Sequence, residues 1–143
     1  MPEKNKAIII RAALYYSAGI FLLGFLLGTL RTIVLVPRIG RLAGVLVEIP
    51  IMLAVSWFYC IRLTNRYSLF GDLRNSALFG VLSFLFLQCA EISFSFLIFR
   101  EQWTDYIVNM GSLPGILGLS AQILFGFIPV LQELLRSSSG NSR

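Results

Sequence analysis

Apolar residues dominate four long stretches of the chain, and short polar segments separate these stretches. A helix needs about 20 mostly apolar residues to cross a bilayer. The sequence therefore predicts four membrane-spanning helices, at 12–36, 42–61, 75–99 and 107–132. Pro37 ends the first stretch, and Pro114 suits the first turn of a helix, which moves the start of the fourth span towards Ser112.

Each predicted span has one face of small and polar residues and one face of bulky Leu, Ile or Phe side chains. The small and polar faces are Ser17, Gly24, Gly28 and Arg31; Gly44, Glu48, Met52 and Ser56; Gly80, Gln88, Glu91 and Ser95; and Gly111, Gly115, Gly118, Gln122, Gly126 and Pro129. In lipid, small residues pack between helices and bulky ones meet the acyl chains. The predicted fold is an all-α integral membrane protein, an antiparallel four-transmembrane-helix bundle. It forms one domain over residues 1–136, with a disordered polar tail at 137–143.

Composition supports a membrane protein. The chain of 143 residues is 57% hydrophobic and only 13% charged, against roughly 25% charged residues in soluble domains. It has no histidine, the commonest acid-base residue and metal ligand. The net charge of +5 fits loop topology better than nucleic-acid binding, and no nucleic-acid partner is expected.

Basic residues in the short loops predict the orientation, because cytoplasmic loops carry an excess of Lys and Arg. With the N-terminus inside, eight basic residues face the cytoplasm and four lie at or near the outer face. The inner ones are Lys4, Lys6, Arg11, Arg62, Arg66, Arg74, Arg136 and Arg143, and the outer ones are Arg31, Arg38, Arg41 and Arg100. Both termini are therefore predicted to be cytoplasmic. Arg62 and Arg66 are expected to contact lipid headgroups at the inner face.

Three charged residues are predicted to share one layer of the outer half of the membrane. The centre of the first hairpin lies between Ile39 and Gly40, and Arg31 precedes it by about as much as Glu48 follows it. At 1.5 Å per residue, both lie roughly 13 Å from the tip. Glu91 reaches a similar level in the third span. Ionisable groups at such depth usually face a partner or a cavity.

One arginine and two glutamates leave one negative charge unbalanced, so one carboxyl is expected to hold a proton near neutral pH. Such a carboxyl is typical of proton-coupled transport or of a site that holds a cationic group. Pro50 and Pro129 free the carbonyls of Leu46 and Phe125, as in broken helices at membrane binding sites. Three interpretations stay open. In the first, Arg31 pairs with one glutamate, while the other is protonated and hydrogen-bonded to Gln88 or a serine. In the second, the cluster is a proton or ligand site. In the third, Arg31 extends to the outer headgroups. Two carboxylates without histidine make a poor metal site, and no metal, cofactor or catalytic residue is predicted.

Small residues at i and i+4 predict close helix contacts. The pairs are Gly24 and Gly28, Gly40 and Gly44, and Gly111 and Gly115. They fit packing within the bundle, or a seam between copies or with a larger subunit.

The first hairpin resembles that of small, uncharacterised four-helix inner-membrane proteins of bacteria. The resemblance rests on 28–31 (GTLR), 37–40 (PRIG) and 48–52 (EIPIM), and it implies no activity. The four-span layout also loosely resembles small multidrug exporters, but those use a glutamate in the first span, where this chain has none.

Three functions are therefore considered. The first expectation is an accessory or assembly subunit, or a homo-oligomer, of the bacterial inner membrane that works through helix contacts. The alternative is a small proton-coupled transporter that uses Glu48 and Glu91. The third is an enzyme acting on a lipid or quinone.

Overall fold

The computed structural model describes residues 3–69, 71–97 and 102–140. This part of the chain is helical and contains no strand. The elements are α1 (Glu3–Leu30), a π-helical turn (Arg31–Leu35), α2 (Val36–Tyr67), α3 (Leu73–Leu97), α4 (Trp103–Gly111) and α5 (Leu113–Gly140).

Three helical segments are long and apolar enough to cross a membrane, which indicates a membrane protein. They are Lys6–Tyr67, Leu73–Leu97 and Leu113–Ser138. The first has 62 residues and would be roughly 90 Å long if straight, about three times the hydrocarbon core. It bends at Gly40, where φ is 81° and ψ is 167°, a conformation that glycine adopts without steric cost. The α1 and α2 arms therefore fold back on each other.

The observed helix ends differ from the sequence-based bounds in several places. α1 begins at Glu3, well before the predicted residue 12, and α3 ends at Leu97, with 98 and 99 outside the described residues. The fourth apolar helix begins at Leu113, close to the start that Pro114 indicated and not at residue 107, and Ser112 before it has an extended backbone with φ −70° and ψ 155°. Its hydroxyl accepts the Gly115 N–H at 3.3 Å and caps α5. α5 includes 137–140 of the expected tail, and 141–143 lie outside the described residues.

The π-helical turn has a local cause. Pro37 has no N–H to offer the carbonyl of Ile33, so the α-helical hydrogen-bond pattern cannot continue through it. The chain adopts a wider turn instead, in which the Val36 N–H donates to the carbonyl of Arg31, five residues earlier. Such π turns often occur at functional sites, and this one begins at Arg31.

Each of the four long helices packs against two of the others. α1 contacts α2 and α3, and α5 contacts the same two helices. Between α1 and α2, the Tyr16 hydroxyl meets Ser56, while Gly24 lies against Met52. Residue numbers therefore rise along one helix as they fall along its neighbour.

The closely packed core lies at the end of the molecule that holds the described chain ends. Its residues are Ile9, Ala12, Ala13, Tyr16, Ile20, Cys60, Leu63, Leu69, Phe79, Leu87, Phe125 and Ile128. The Tyr16 ring centroid lies 5.4 Å from that of Phe79 and 4.4 Å from that of Phe125, both stacked. The Tyr16 hydroxyl donates to the Ser56 carbonyl at 3.1 Å. This aromatic stack closes one end of the bundle.

Close contact between α3 and α5 depends on Gly80. A Cβ there would collide with the carbonyl oxygen of Gly126. We predict that Gly80→Ala lowers the free energy of unfolding by about 1–3 kcal/mol, because backbone must shift to admit the methyl group. Denaturant titration of the detergent-solubilised protein measures this.

Gly118→Ala in α5 is the matched control, since nothing lies within 4 Å of its Cβ position. It should be neutral or slightly stabilising, because alanine favours a helix over glycine. Equal losses in the two variants would contradict the packing described for Gly80.

Candidate functional site

A pocket of about 480 Å³ lies beyond the aromatic stack, towards the end of the bundle that holds Gly40. Ile20, Ser56 and Phe125 line its deep end, and Tyr106 and Asn109 of α4 line the opposite end. Its volume falls within the range of small-molecule sites, about 300–1,000 Å³. Most of its lining is apolar, but Arg31, Arg41, Glu48, Glu91 and Gln122 also contribute. An apolar pocket with a few polar groups is the usual form of a ligand site.

Arg31 and Glu48 form an ion pair across the first hairpin. Arg31 Nε lies 3.0 Å from Glu48 Oε2, and the two side chains are 26% and 16% exposed. The glycine at position 44 makes room for the arginine, since a Cβ there would lie 2.9 Å from Arg31 Cγ. The pair neutralises two charges that would each be costly to bury alone.

Glu91 belongs to a separate chain of hydrogen bonds. Gln122 Nε2 lies 2.7 Å from both carboxylate oxygens of Glu91. Gln88 Nε2 donates to Gln122 Oε1 at 2.7 Å, which fixes the orientation of the Gln122 amide. Arg31 is paired with Glu48, and no described basic group forms an ion pair with Glu91.

The structure brings the predicted charges to one pocket but does not join them in one contact. Arg31, Glu48 and Glu91 line it, and Gln88 reaches it through Gln122. Neither proline of the predicted helix-break sites is part of the lining, but Phe125, whose carbonyl Pro129 leaves free, is. Pro50 is exposed, and Pro129 is fully buried, within reach of Gly80.

The glycines predicted for helix packing have different surroundings. Gly24 lies against Met52, Gly28 near Glu48 Oε1, and Gly44 against Arg31, all within the hairpin. Gly115 lies against the carbonyls of Asn109 and Met110 and so holds α4 close to the start of α5. Nothing lies within 4 Å of the Cβ positions of Gly40 and Gly111.

Sequence reasoning did not assign Gln122 or Arg41 to the site, nor the α4 residues Tyr106 and Asn109. Gln122 carried a usable signal, because it is an amide on the small-residue face of an apolar helix. For Arg41, the sequence predicts only a basic residue of the outer loop. The α4 residues carried no comparable signal, because their place depends on the break at Ser112.

No protein-family model matches the chain, and no curated protein or solved structure matches it either.

The amide relay, in which Gln88 donates to Gln122 and Gln122 donates to Glu91, predicts that a single and a triple variant differ in stability. Gln122→Leu should lower the free energy of unfolding by about 1–3 kcal/mol, because it leaves Gln88 and Glu91 without their partner. The triple variant Gln88→Leu/Gln122→Leu/Glu91→Leu should lose less than the single one, since no partly satisfied polar group remains. Denaturant titration of each variant tests this, and a larger loss in the triple variant would refute the relay.

Proposed function

We propose that this chain is a multi-pass membrane protein that binds a small amphiphilic molecule in the outer half of an antiparallel four-span bundle. Both termini lie in the cytoplasm in this proposal, and the membrane is the bacterial inner membrane. The single observation that carries it is the pocket, which gathers two arginines and two glutamates within a mostly apolar lining.

The asymmetry of the bundle supports a site that opens to one face. The Tyr16, Phe79 and Phe125 rings stack below the pocket, whereas Arg41 and the short helix α4 lie at its other end. Arg41 is exposed. A ligand would therefore enter from the side opposite the termini.

A proton-coupled transporter is the second candidate, and Glu91 is the observation that favours it. Its carboxylate has amide donors but no described basic partner, so it can exchange a proton for a cationic group. Transport to the other face would also require the aromatic stack around Tyr16 to open.

An accessory or assembly role has less support from the contacts. Gly24, Gly28 and Gly44 could form a seam with another chain, but they lie against side chains of their own hairpin. The exposed apolar side chains of α2 and α5 suit lipid as well as protein.

Thiol labelling tests whether the pocket opens only to the outer face. Ser95 lines the pocket. Ser83, on the same helix, is fully buried at the end of the bundle that the aromatic stack closes. In a Cys60→Ala/Cys89→Ser background, we predict that Ser95→Cys reacts with a membrane-impermeant thiol reagent added to the outer face. Reaction requires a thiolate in contact with water, so Ser83→Cys should stay unreactive from both faces.

Sealed cells and inverted membrane vesicles present the two faces separately. Labelling of Ser95→Cys only from the membrane face on which both termini lie would contradict the proposed orientation. No labelling from either face would contradict an open pocket.

A further inference from the structure

The pocket contains an unmatched charge of each sign. Arg31 and Glu48 neutralise each other at 3.0 Å. Glu91 has no described basic group within 4 Å, and Arg41 has no described acidic group within 4 Å. A ligand that satisfies both residues must therefore carry both a positive and a negative group.

Glu91 is built to accept a positive group. Gln122 donates to both of its oxygens at 2.7 Å, an arrangement that suits an ionised carboxylate, which can only accept hydrogen bonds. Lone pairs remain on both oxygens for a further donor. An ammonium group offers three donors and the opposite charge.

Arg41 is built to accept an anion nearer the mouth. It precedes Glu48 by seven residues on α2, about 10 Å along the helix axis, and its side chain is exposed. A guanidinium binds phosphate oxygens through two parallel hydrogen bonds. Counting along the helices places Glu91 in the layer of Glu48, so Arg41 and Glu91 are expected at different depths of the pocket that both line. An α-amino acid, whose two charged groups share one carbon, would then fit poorly.

Aromatic side chains complete the lining on the α1 and α3 side. Phe94 meets Phe21 and Phe25 edge to face, with ring centroids 5.6 and 5.1 Å apart, and all three rings line the pocket. This wall accepts hydrocarbon, and its ring faces also attract a cation.

We propose that the pocket binds a zwitterionic amphiphile with an ammonium group on Glu91 and a phosphodiester on Arg41, the chemistry of an ethanolamine phospholipid headgroup. This inference rests on the proposed function of the pocket as a ligand site. The ammonium group enters deepest, the phosphodiester stays near the mouth, and the first carbons of the apolar part lie along the phenylalanine wall.

Thermal stability of the full chain in a mild non-ionic detergent tests the charge pattern. The probe is dihexanoylphosphatidylethanolamine, below its micelle-forming concentration. Dihexanoylphosphatidylglycerol lacks the ammonium group, hexylammonium lacks the phosphate, and glycerophosphoethanolamine lacks the acyl chains. A bound ligand raises Tm in a saturable manner, and we expect the two singly charged amphiphiles to need concentrations about tenfold or more above that of the ethanolamine lipid for the same rise.

Variants assign the two contacts. Glu91→Gln and Arg41→Gln should each raise the apparent Kd of the ethanolamine lipid about tenfold or more, since each removes a charge-assisted hydrogen bond. Arg38→Gln is the matched control, because Arg38 is exposed and is not part of the pocket lining. Arg41 lies at the mouth, so Arg41→Glu should not affect folding. In this variant, hexylammonium should raise Tm in place of the ethanolamine lipid.

Each outcome decides the inference. Equal binding of the glycerol and ethanolamine lipids, or an unchanged Kd in Arg41→Gln, overturns it. A shift with glycerophosphoethanolamine alone supports the charge pattern but assigns it to a soluble phosphodiester. If no compound raises Tm but Ser95→Cys is labelled from the outer face, the proposed ligand class is wrong and the open pocket stands. No shift and no labelling removes the pocket and the inference together.

Discussion

A guanidinium and a carboxylate that are carried on separate apolar helices can be buried cheaply only if they meet. The contact between Arg31 and Glu48 at 3.0 Å satisfies this condition, and it sets the register of the hairpin between α1 and α2. Gly44 makes room for the arginine side chain, and Gly40 provides the left-handed bend that turns the chain back. Once this pair is closed, Glu91 is the acidic residue in the pocket without a described basic partner.

The same constraint explains why the bundle has two unlike halves. At the end that holds Tyr16, small and aromatic side chains fill the space, and Tyr16 satisfies its hydroxyl through the Ser56 carbonyl. Around the charged residues of the pocket, side chains cannot pack closely without leaving some charges buried without a partner. A pocket of about 480 Å³ remains there. Its apolar wall and opposed charges are the features of a site for an amphiphile.

Much of this arrangement follows from simple counting along the sequence, because apolar length and helix rise determine depth. Residues equally far from Ile39 and Gly40 must lie at one level, and the structure pairs Arg31 with Glu48 there. The small and polar faces turn Glu91 and Gln122 towards the bundle interior, but counting along the helices does not pair them, so the contact between Gln122 and Glu91 could be predicted only in part. Pro114 indicates the helix start near Ser112, but the apolar pattern does not indicate that the residues before it form a separate helix, α4.

The most direct test of this account is a pair of double-mutant cycles on the free energy of unfolding, using Arg31→Met with Glu48→Gln and Arg31→Met with Glu91→Gln. The account predicts a coupling of about 1–3 kcal/mol in the first cycle, as for residues in direct contact, and additivity within about 0.5 kcal/mol in the second. Equal coupling in both cycles, or a stronger coupling of Arg31 to Glu91, would contradict a closed Arg31–Glu48 pair that leaves Glu91 for a ligand.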